Sequence, residues 1–458
     1  MRKVYIKGYI NFNDKRYTFI YEDKKLTLIS VENDLTFFSE YKYVNYFEGF
    51  TLDGFDIVFY INDSIHYKNG SYVCSPRFIL IAGSNEYRIN KMCFNSLKII
   101  GGTVNRFYSN CHMIGIDFNK YCNISSGKDC FKIKTIEDST SEEKVKLNGN
   151  ETNFELSIAL PGWQDDGRIT FDDFNSVLRI KYNNNQNYDQ VVKDLGVISN
   201  FFRFCSNRNN ISYESVYLEC KNEKNKYYNA VEIIIPYMID NVVKKDMIDY
   251  ETIKNNVGNI IEFLDKCDYI FSIIPDSDKD LNVITNKDYC AAFSCFESIY
   301  QFVHSDTLKE KLSTDEKELE EAKKEVLLFL ENLGKKYHGN NGKRRRYIKR
   351  FEHIISNTNL KKESCIITEV NKNEYIINNI YYKLRNELQK CGINNSIEKA
   401  INDRDNITHN RTINLDNISI GIYQIVLKLN YSMILEFVGI SKEQIKKNIS
   451  YLILRNVI

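Results

Sequence analysis

The feature that most constrains the fold of this 458-residue chain is a change in hydrophobic period near residue 245. Before it, short runs such as Val4–Ile10 and Arg16–Tyr21 are rich in β-branched and aromatic residues, and turn signals such as Asp53-Gly54 separate them. Such runs predict strands. After it, apolar residues recur at helical spacing. We therefore predict an α+β protein with a β-rich N-terminal domain followed by an all-α helical bundle.

The same change sets the predicted domain boundaries. Residues 1–245 form the β-rich domain, residues 246–284 a connecting helix and linker, and residues 285–458 the helical domain. The short, regularly spaced strands fit either a sandwich or a strongly curved sheet. The first domain has no phosphate-binding loop and no acid–nucleophile arrangement, so we expect it to serve recognition or regulation rather than catalysis.

Four further segments carry specific structural predictions. The polar stretches 137–151 and 356–374 are predicted to be loops. Tyr250–Cys267 and Glu374–Cys391 are each predicted to be one continuous helix, and Gly392 ends the second of them.

Composition limits the classes of function. Lys and Arg number 62 and Asp and Glu number 61, so any nucleic-acid surface must be local. The twelve cysteines form no Cys-x-x-Cys pair and no zinc spacing, which indicates reduced thiols and predicts neither a metal site nor a cofactor. The longest apolar runs, such as Val231–Ile239, are shorter than a bilayer span, and no signal-peptide core is present. We expect a cytoplasmic protein with no membrane partner.

The segment Ser396–Asn410 carries the main candidate for chemistry. Its apolar positions Ile397, Ala400 and Ile401 repeat at helical spacing, and Arg404 lies on the same stripe, where a guanidinium is costly unless it is paired. His409 follows five residues later, about 140° around an ideal helix. The two side chains can therefore converge only if the helix loosens or ends between them. Three asparagines that follow predict an end near His409; they are Asn410, Asn414 and Asn417.

An arginine beside a histidine suits phosphate chemistry. A guanidinium holds a phosphate through parallel hydrogen bonds and stabilises charge that develops on it. An imidazole can move a proton on or off a hydroxyl near neutral pH. The alternative interpretation of Arg404 and His409 is structural: a core histidine beside an arginine that pairs with Asp403 or Asp405.

Two other groups have open alternatives. Glu297 lies within an apolar helix over Lys287–His304 and is either a solvated side chain or an acid that positions Arg404. A basic run begins the predicted helix Lys343–Ile355 and is either a solvated face or a contact to the RNA backbone. The run comprises Lys343, Arg344, Arg345 and Arg346.

A C-terminal bundle carrying Arg404-Asp-Asn-Ile-Thr-His409 resembles the HEPN domains, many of which are ribonucleases with an Arg-x4-6-His motif. The arrangement with a β-rich N-terminal domain resembles the ApeA-like branch, which is associated with bacterial defence against phage. The resemblance implies that Arg404 and His409 are catalytic, with Glu297, Asp405 and Asn406 in support. Asp405 departs from the family pattern, because an acid there repels phosphate unless it turns outward or pairs with Arg404.

The same resemblance implies an activity and partners. It implies endonucleolytic cleavage of RNA, transfer RNA included, through attack by the 2′-hydroxyl, with a 2′,3′-cyclic phosphate product and no metal or cofactor. It implies a homodimer or higher homo-oligomer through the helical domain, and activation in abortive infection by a phage trigger of unknown identity. The alternative, from a different class, is a HEPN domain that has lost cleavage and serves as an RNA- or nucleotide-binding or assembly module.

Overall fold

The computed structural model describes residues 4–13, 15–31, 44–61, 65–68, 70–108, 114–118, 131–135, 140–159, 175–236, 247–248, 250–276, 280, 284–305, 314–336, 362–409 and 414–452. The chain divides into two units. The sheet unit comprises Met1–Asp265 and Asp276–Asp278, and the helical unit comprises Lys266–Pro275 and Lys279–Ile458. The predicted α+β class, with an antiparallel sheet first and helices second, is confirmed.

The strands of the sheet unit are β1 (Ile6–Phe12), β2 (Lys15–Glu22), β3 (Lys25–Ser30), β4 (Tyr46–Thr51), β5 (Asp56–Ile61), β6 (His66–Lys68), β7 (Ser71–Cys74), β8 (Pro76–Ala82), β9 (Phe94–Ile100), β10 (Ile114–Phe118), β11 (Phe131–Thr135), β12 (Ser141–Leu147), β13 (Asn150–Ala159), β14 (Asn175–Gln186), β15 (Ser215–Lys221) and β16 (Tyr227–Ile234). Fourteen of them form one sheet in the order β12-β13-β14-β9-β15-β16-β8-β5-β4-β1-β2-β3-β7-β6, and β10 pairs with β11.

The part of the sheet around β1 is strongly curved. β2 and β5 are separated by two strands, which in a flat sheet places them about 14 Å apart. Nevertheless the rings of Phe19 on β2 and Phe59 on β5 meet edge to face with centroids 5.0 Å apart. Both rings are fully buried in a cluster that also includes Ile10 and Leu28. The sheet therefore wraps around its own core, which confirms the curved-sheet alternative.

A long helix covers the other part of the sheet. Helix α2 (Tyr188–Ser206) begins at Asn187, whose side chain accepts a hydrogen bond from the backbone of Gln190, and it follows the short helix α1 (Thr103–Phe107). The α2 ring of Phe201 packs against Phe154 of β13 at 6.0 Å. Burial of this apolar face stabilises α2 against the sheet.

Two helices near the predicted boundary belong to the sheet unit. They are α3 (Tyr250–Ile253) and α4 (Val257–Lys266). Tyr250 stacks edge-on against Phe107 at 5.5 Å, and the backbone at Gly258 approaches the carbonyl of Lys144 closely. The predicted continuous helix over Tyr250–Cys267 is wrong, because the chain breaks between α3 and α4, where Asn255 has φ of +70°.

The helical unit contains α5 (Asn286–Val303), α6 (Thr314–Lys336), α7 (Lys362–Lys372), α8 (Tyr375–Asn378), α9 (Tyr382–Cys391), α10 (Ile393–Thr408), α11 (Asn417–Phe437) and α12 (Lys442–Leu452). Helix α11 is its core. By length and a mean hydropathy of 1.4 it would suffice to cross a membrane, but 89% of that window is buried inside the unit. Helices α5, α7, α8, α9, α10 and α12 pack against it.

Three sequence predictions about local structure need correction. The polar stretch 137–151 contains strand β12 at a sheet edge, whose residues Val145 and Leu147 are buried while Glu142, Lys144 and Lys146 are exposed. The stretch 356–374 contains α7. The predicted helix over Glu374–Cys391 is two helices, α8 and α9, separated at Asn379–Tyr381. In the last two cases tertiary packing, with buried Ile366 and Ile380, overrides local polarity.

Candidate active site

Helix α10 positions the predicted arginine. Gly392, with φ of +84°, ends α9 and starts α10, a backbone conformation that favours glycine. Three α10 side chains on one face are fully or almost fully buried: Ile397, Ala400 and Ile401. Arg404 continues this face by one turn, so the helix directs its guanidinium toward the interior of the unit.

The Arg404 guanidinium lies between two carboxylates. Its Nη2 atom is 3.3 Å from Oε1 of Glu297 on α5, and its Nη1 atom is 2.9 Å from Oδ1 of Asp405. The Arg404 and Glu297 side chains are only 13% and 9% exposed, whereas that of Asp405 is 49% exposed. Within the described part of the chain, the buried Nε atom of Arg404 has no hydrogen-bond acceptor. Arg404 is therefore an almost buried cation that two acids hold, the buried Glu297 and the half-exposed Asp405.

Two side chains of helix α5, Tyr289 and Ser294, contact α10 near the Arg404–Glu297 pair. The Tyr289 hydroxyl donates to the backbone oxygen of Ala400 at 2.9 Å, and its ring stacks on Tyr423 of α11 at 5.8 Å. Burial, with the nearby Asp403 carboxylate, raises the pKa of Tyr289, so the hydroxyl keeps its proton and remains a donor. Ser294, one turn before Glu297, accepts a longer contact of 3.5 Å from Arg404.

His409 lies at the end of α10. The helix runs through Thr408, and His409 is its exposed C-terminal cap residue, whose backbone N–H donates to Asp405 at 3.1 Å. The predicted end near His409 is therefore confirmed. The helix does not loosen or end between Arg404 and His409, so a single chain points the two side chains in different directions. Among the described residues, no side-chain hydrogen bond or ion pair joins His409 to Arg404.

The other predicted site residues fall into three groups. Glu297 is buried, which excludes the solvated alternative, and it contacts Arg404 directly. Asp405 pairs with Arg404, as the structural alternative proposed, while Asn406 is half-buried on α10. The basic run Lys343–Arg346 lies outside the described residues.

A second polar pair on α5 was missed in the sequence. Nε2 of His304, at the end of α5, is 3.1 Å from Oε1 of Glu369 on α7, and Glu369 is 1% exposed. The amide of Asn373 also contacts Glu369 at 3.4 Å. The available signal was spacing: His304 follows Glu297 by seven residues and so shares its face of α5. The pair joins α5 to α7 beside the Arg404 cluster.

Comparisons with known proteins do not assign this chain to a family. No family profile, curated protein or solved structure matches the chain. The described residues also contain no group of three or more His, Cys, Asp or Glu side chains placed to hold a metal ion. The nine cysteines among them, from Cys74 to Cys391, are free thiols, and six of these are buried.

Proposed function

We propose that the protein is a metal-independent endoribonuclease of the HEPN type that acts in bacterial defence against phage. The observation that carries the proposal is the Arg404 guanidinium, which Glu297 of α5 and Asp405 of α10 hold in an almost buried position, with an exposed histidine five residues later at the helix end. The partner acid Asp405 is half exposed and can be displaced. The pattern thus offers an anion site and a proton-transfer group on one rigid helix.

The chemistry follows from these two side chains. His409 accepts the proton of a ribose 2′-hydroxyl, and the 2′-oxygen attacks the adjacent phosphorus. Arg404 stabilises the charge of the phosphorane through its N–H donors. The bond to the 5′-oxygen then breaks, and that oxygen takes a proton from a second acid. The products are a 2′,3′-cyclic phosphate and a 5′-hydroxyl.

Asp405 determines how phosphate reaches Arg404. In the free protein its carboxylate occupies the Nη1 donor, at 2.9 Å. A phosphate oxygen must replace it there, because a carboxylate and a phosphate repel each other at the same donor. Glu297 remains at Nη2 and keeps the guanidinium in place. We infer that Asp405 weakens ground-state binding of RNA and turns away when substrate binds.

A homodimer supplies the missing second proton-transfer group. The single histidine His409 cannot act as base and acid in the same turnover, and α10 directs it away from its own Arg404. Two copies related by a two-fold axis through the helical units would bring two histidines to one groove. The proposed active site is therefore composite.

Incubation of the purified chain with total RNA in EDTA tests the function. Wild-type protein should cleave RNA, and Arg404→Ala and His409→Ala should each lower the rate by about a hundred-fold or more. Arg404→Lys keeps the charge but loses the planar donor pair, so it should also be impaired. His66→Ala, at an exposed histidine on β6, is the matched control and should cleave normally.

The binding-module alternative predicts a different result. Under it, any nuclease activity would be unaffected by Arg404→Ala and by His409→Ala. His409→Ala should melt like wild type, because His409 is exposed, whereas Arg404→Ala leaves the buried Glu297 carboxylate without its cation and should melt at a lower temperature under either hypothesis. Equal cleavage by wild type and variants would reject the nuclease proposal.

A further inference from the structure

The outward face of the curved sheet carries a group of aromatic and cationic side chains. β1 pairs with β2 on one side and β4 on the other, so Phe50, Tyr9 and Thr18 form one row across three strands. Side chains directly opposite one another in paired strands project to the same face. Tyr5 and Lys7 project there too, because residues two apart along a strand share a face.

Each of three rings on this face lies under a cation. The Arg16 guanidinium is 4.1 Å from the ring centroid of Tyr9, the Lys7 ammonium is 5.0 Å from that of Tyr5, and the Arg88 guanidinium is 5.2 Å from that of Phe50. All three distances fall in the range of cation–π attraction. We call the six residues the outer platform. They are Tyr5, Lys7, Tyr9, Arg16, Phe50 and Arg88.

The outer platform is accessible to a ligand. The ring of Tyr5 is 54% exposed, and both Lys7 and Arg16 are exposed. Apolar side chains around it are also open to solvent: Ile29, Val31 and Leu52 are 40%, 59% and 60% exposed. A face with this much exposed apolar area beside cations is typical of a binding surface rather than an ordinary solvated sheet.

Two of the three platform cations, Lys7 and Arg16, remain available for an anionic ligand, whereas Arg88 donates to the backbone oxygens of Asn85 and Tyr87. Within the described residues, neither Lys7 nor Arg16 forms an ion pair with a carboxylate. The acids on the same face are engaged elsewhere: Glu48 accepts from Tyr188 at 2.7 Å and from Asn90 at 3.4 Å, and Asp56 is buried and accepts from the backbone of Ile89 at 2.6 Å. At the far end of the face, Glu22 lies opposite Lys25.

We propose that the outer platform binds single-stranded RNA. Bases stack on aromatic rings and on arginine planes, and phosphates pair with the adjacent cations; this combination on an open sheet face serves unpaired strands, whose bases are exposed. A double helix offers no such bases. The inference deepens the proposed function, since it assigns to the sheet unit the capture of the RNA that the helical unit would cleave.

Binding of a short fluorescein-labelled oligouridine to the full-length chain, followed by anisotropy, tests the proposal. The measurement uses the His409→Ala background so that the probe stays intact. Tyr9→Leu and Arg16→Ala should each weaken binding about ten-fold, the usual effect of losing one stacking partner. Tyr9→Phe keeps the ring and should bind as the parent does. Lys224→Ala, at an exposed lysine in the turn between β15 and β16, is the control for general charge.

The outcomes separate this proposal from the nuclease proposal. If the wild type binds the probe without cleaving it and Tyr9→Leu loses that binding, the platform stands and the nuclease fails. Unchanged affinity in a Tyr9→Leu/Arg16→Ala double variant that melts like the parent overturns the platform. The proposal is also overturned if the chain binds an RNA duplex as tightly as it binds the oligouridine. It is overturned too if the chain self-associates and the double variant abolishes this self-association without any loss of RNA affinity.

Discussion

Arg404 occupies a position where the helix stripe predicts an apolar residue, and its partners explain how the chain accommodates it. A buried guanidinium is tolerated only when it is paired. Glu297 on α5, 107 residues earlier in the chain, supplies the buried partner at 3.3 Å, and Asp405 supplies a half-exposed one at 2.9 Å. Burial of this charge costs free energy of folding, so a functional requirement for the charge explains its position on α10 better than stability does.

Asp405→Asn should increase the cleavage of RNA. The variant removes the carboxylate that competes with phosphate for Arg404, so we expect the KM for RNA to fall several-fold with kcat little altered. Because Asp405 is half exposed, its pairing contributes less than about 1 kcal/mol and the melting temperature should barely move. Steady-state kinetics on a defined oligonucleotide measure this. A rise in KM would show that Asp405 contacts substrate favourably.

Residue types were predicted better than residue geometry. The pairing demand of Arg404 could be derived from its position in the apolar stripe, and Glu297 was a candidate because it also interrupted an apolar helix. The choice between Glu297, Asp403 and Asp405 could not be made, because it depends on how α5 crosses α10. The Asp403 carboxylate in fact accepts from Ser419 at 2.5 Å. His304 and Glu369 were missed because their pairing joins helices far apart in the sequence.

Helix α11 shows the same limit at the scale of an element. Its apolar residues recur at helical spacing, but its polar residues are buried as well, because other helices pack against it. Lys428 is 1% exposed, and its ammonium donates to the backbone oxygen of Asn379 at 2.7 Å, at the point where α8 ends. This contact satisfies a carbonyl left open by the break between α8 and α9. No local pattern in residues 374–391 predicts that break.

Lys428 also makes the stability of the helical unit depend on pH. Burial lowers the pKa of Lys428 to about 8, below its ordinary value of 10.5. The folded state therefore releases this proton more readily than the unfolded chain does, and Lys428 costs stability below about pH 8. That cost disappears as the pH rises from about 8 to 10.5.

Lys428→Met should remove the free-energy cost of burying the Lys428 charge while it keeps the length of the side chain. We expect the variant to melt a few degrees above wild type at pH 7 and the difference to shrink by pH 10, despite loss of the bond to Asn379. Melting curves of both proteins across this pH range give the comparison. A variant that is less stable at pH 7 would mean that the contact to Asn379 outweighs the burial of charge.

At the scale of the whole molecule, the order of the two units could be predicted from the period of the sequence, but the extent of the sheet could not. The single sheet joins β12, near residue 141, to β6, near residue 66, through pairings such as β16 with β8 that are distant in sequence. A short turn fixes the register of the two strands of a hairpin, but strands distant in sequence have no such turn to indicate which of them pair. The boundary between the two units, at Asp265, likewise depends on tertiary packing, in this case that of α3 and α4.

The proposed composite site requires an oligomer. Light scattering should give at least twice the 53.9 kDa chain mass at micromolar concentration. If the site combines arginine and histidine from different chains, a mixture of inactive Arg404→Ala and inactive His409→Ala proteins should regain part of the wild-type activity once subunits exchange. A fully active monomer would contradict the composite site while leaving the two residues catalytic.

The central claim is that Arg404 and His409 cleave RNA by attack of the 2′-hydroxyl, and the ends of the products test it most directly. A defined oligonucleotide is incubated in EDTA with wild type, His409→Ala and the His66→Ala control, and its fragments are weighed by mass spectrometry. We predict fragments with a 2′,3′-cyclic phosphate and a 5′-hydroxyl from wild type and the control, and intact oligonucleotide from His409→Ala. Fragments with a 5′-phosphate and a 3′-hydroxyl, or the same fragments from His409→Ala at the wild-type rate, would contradict the account.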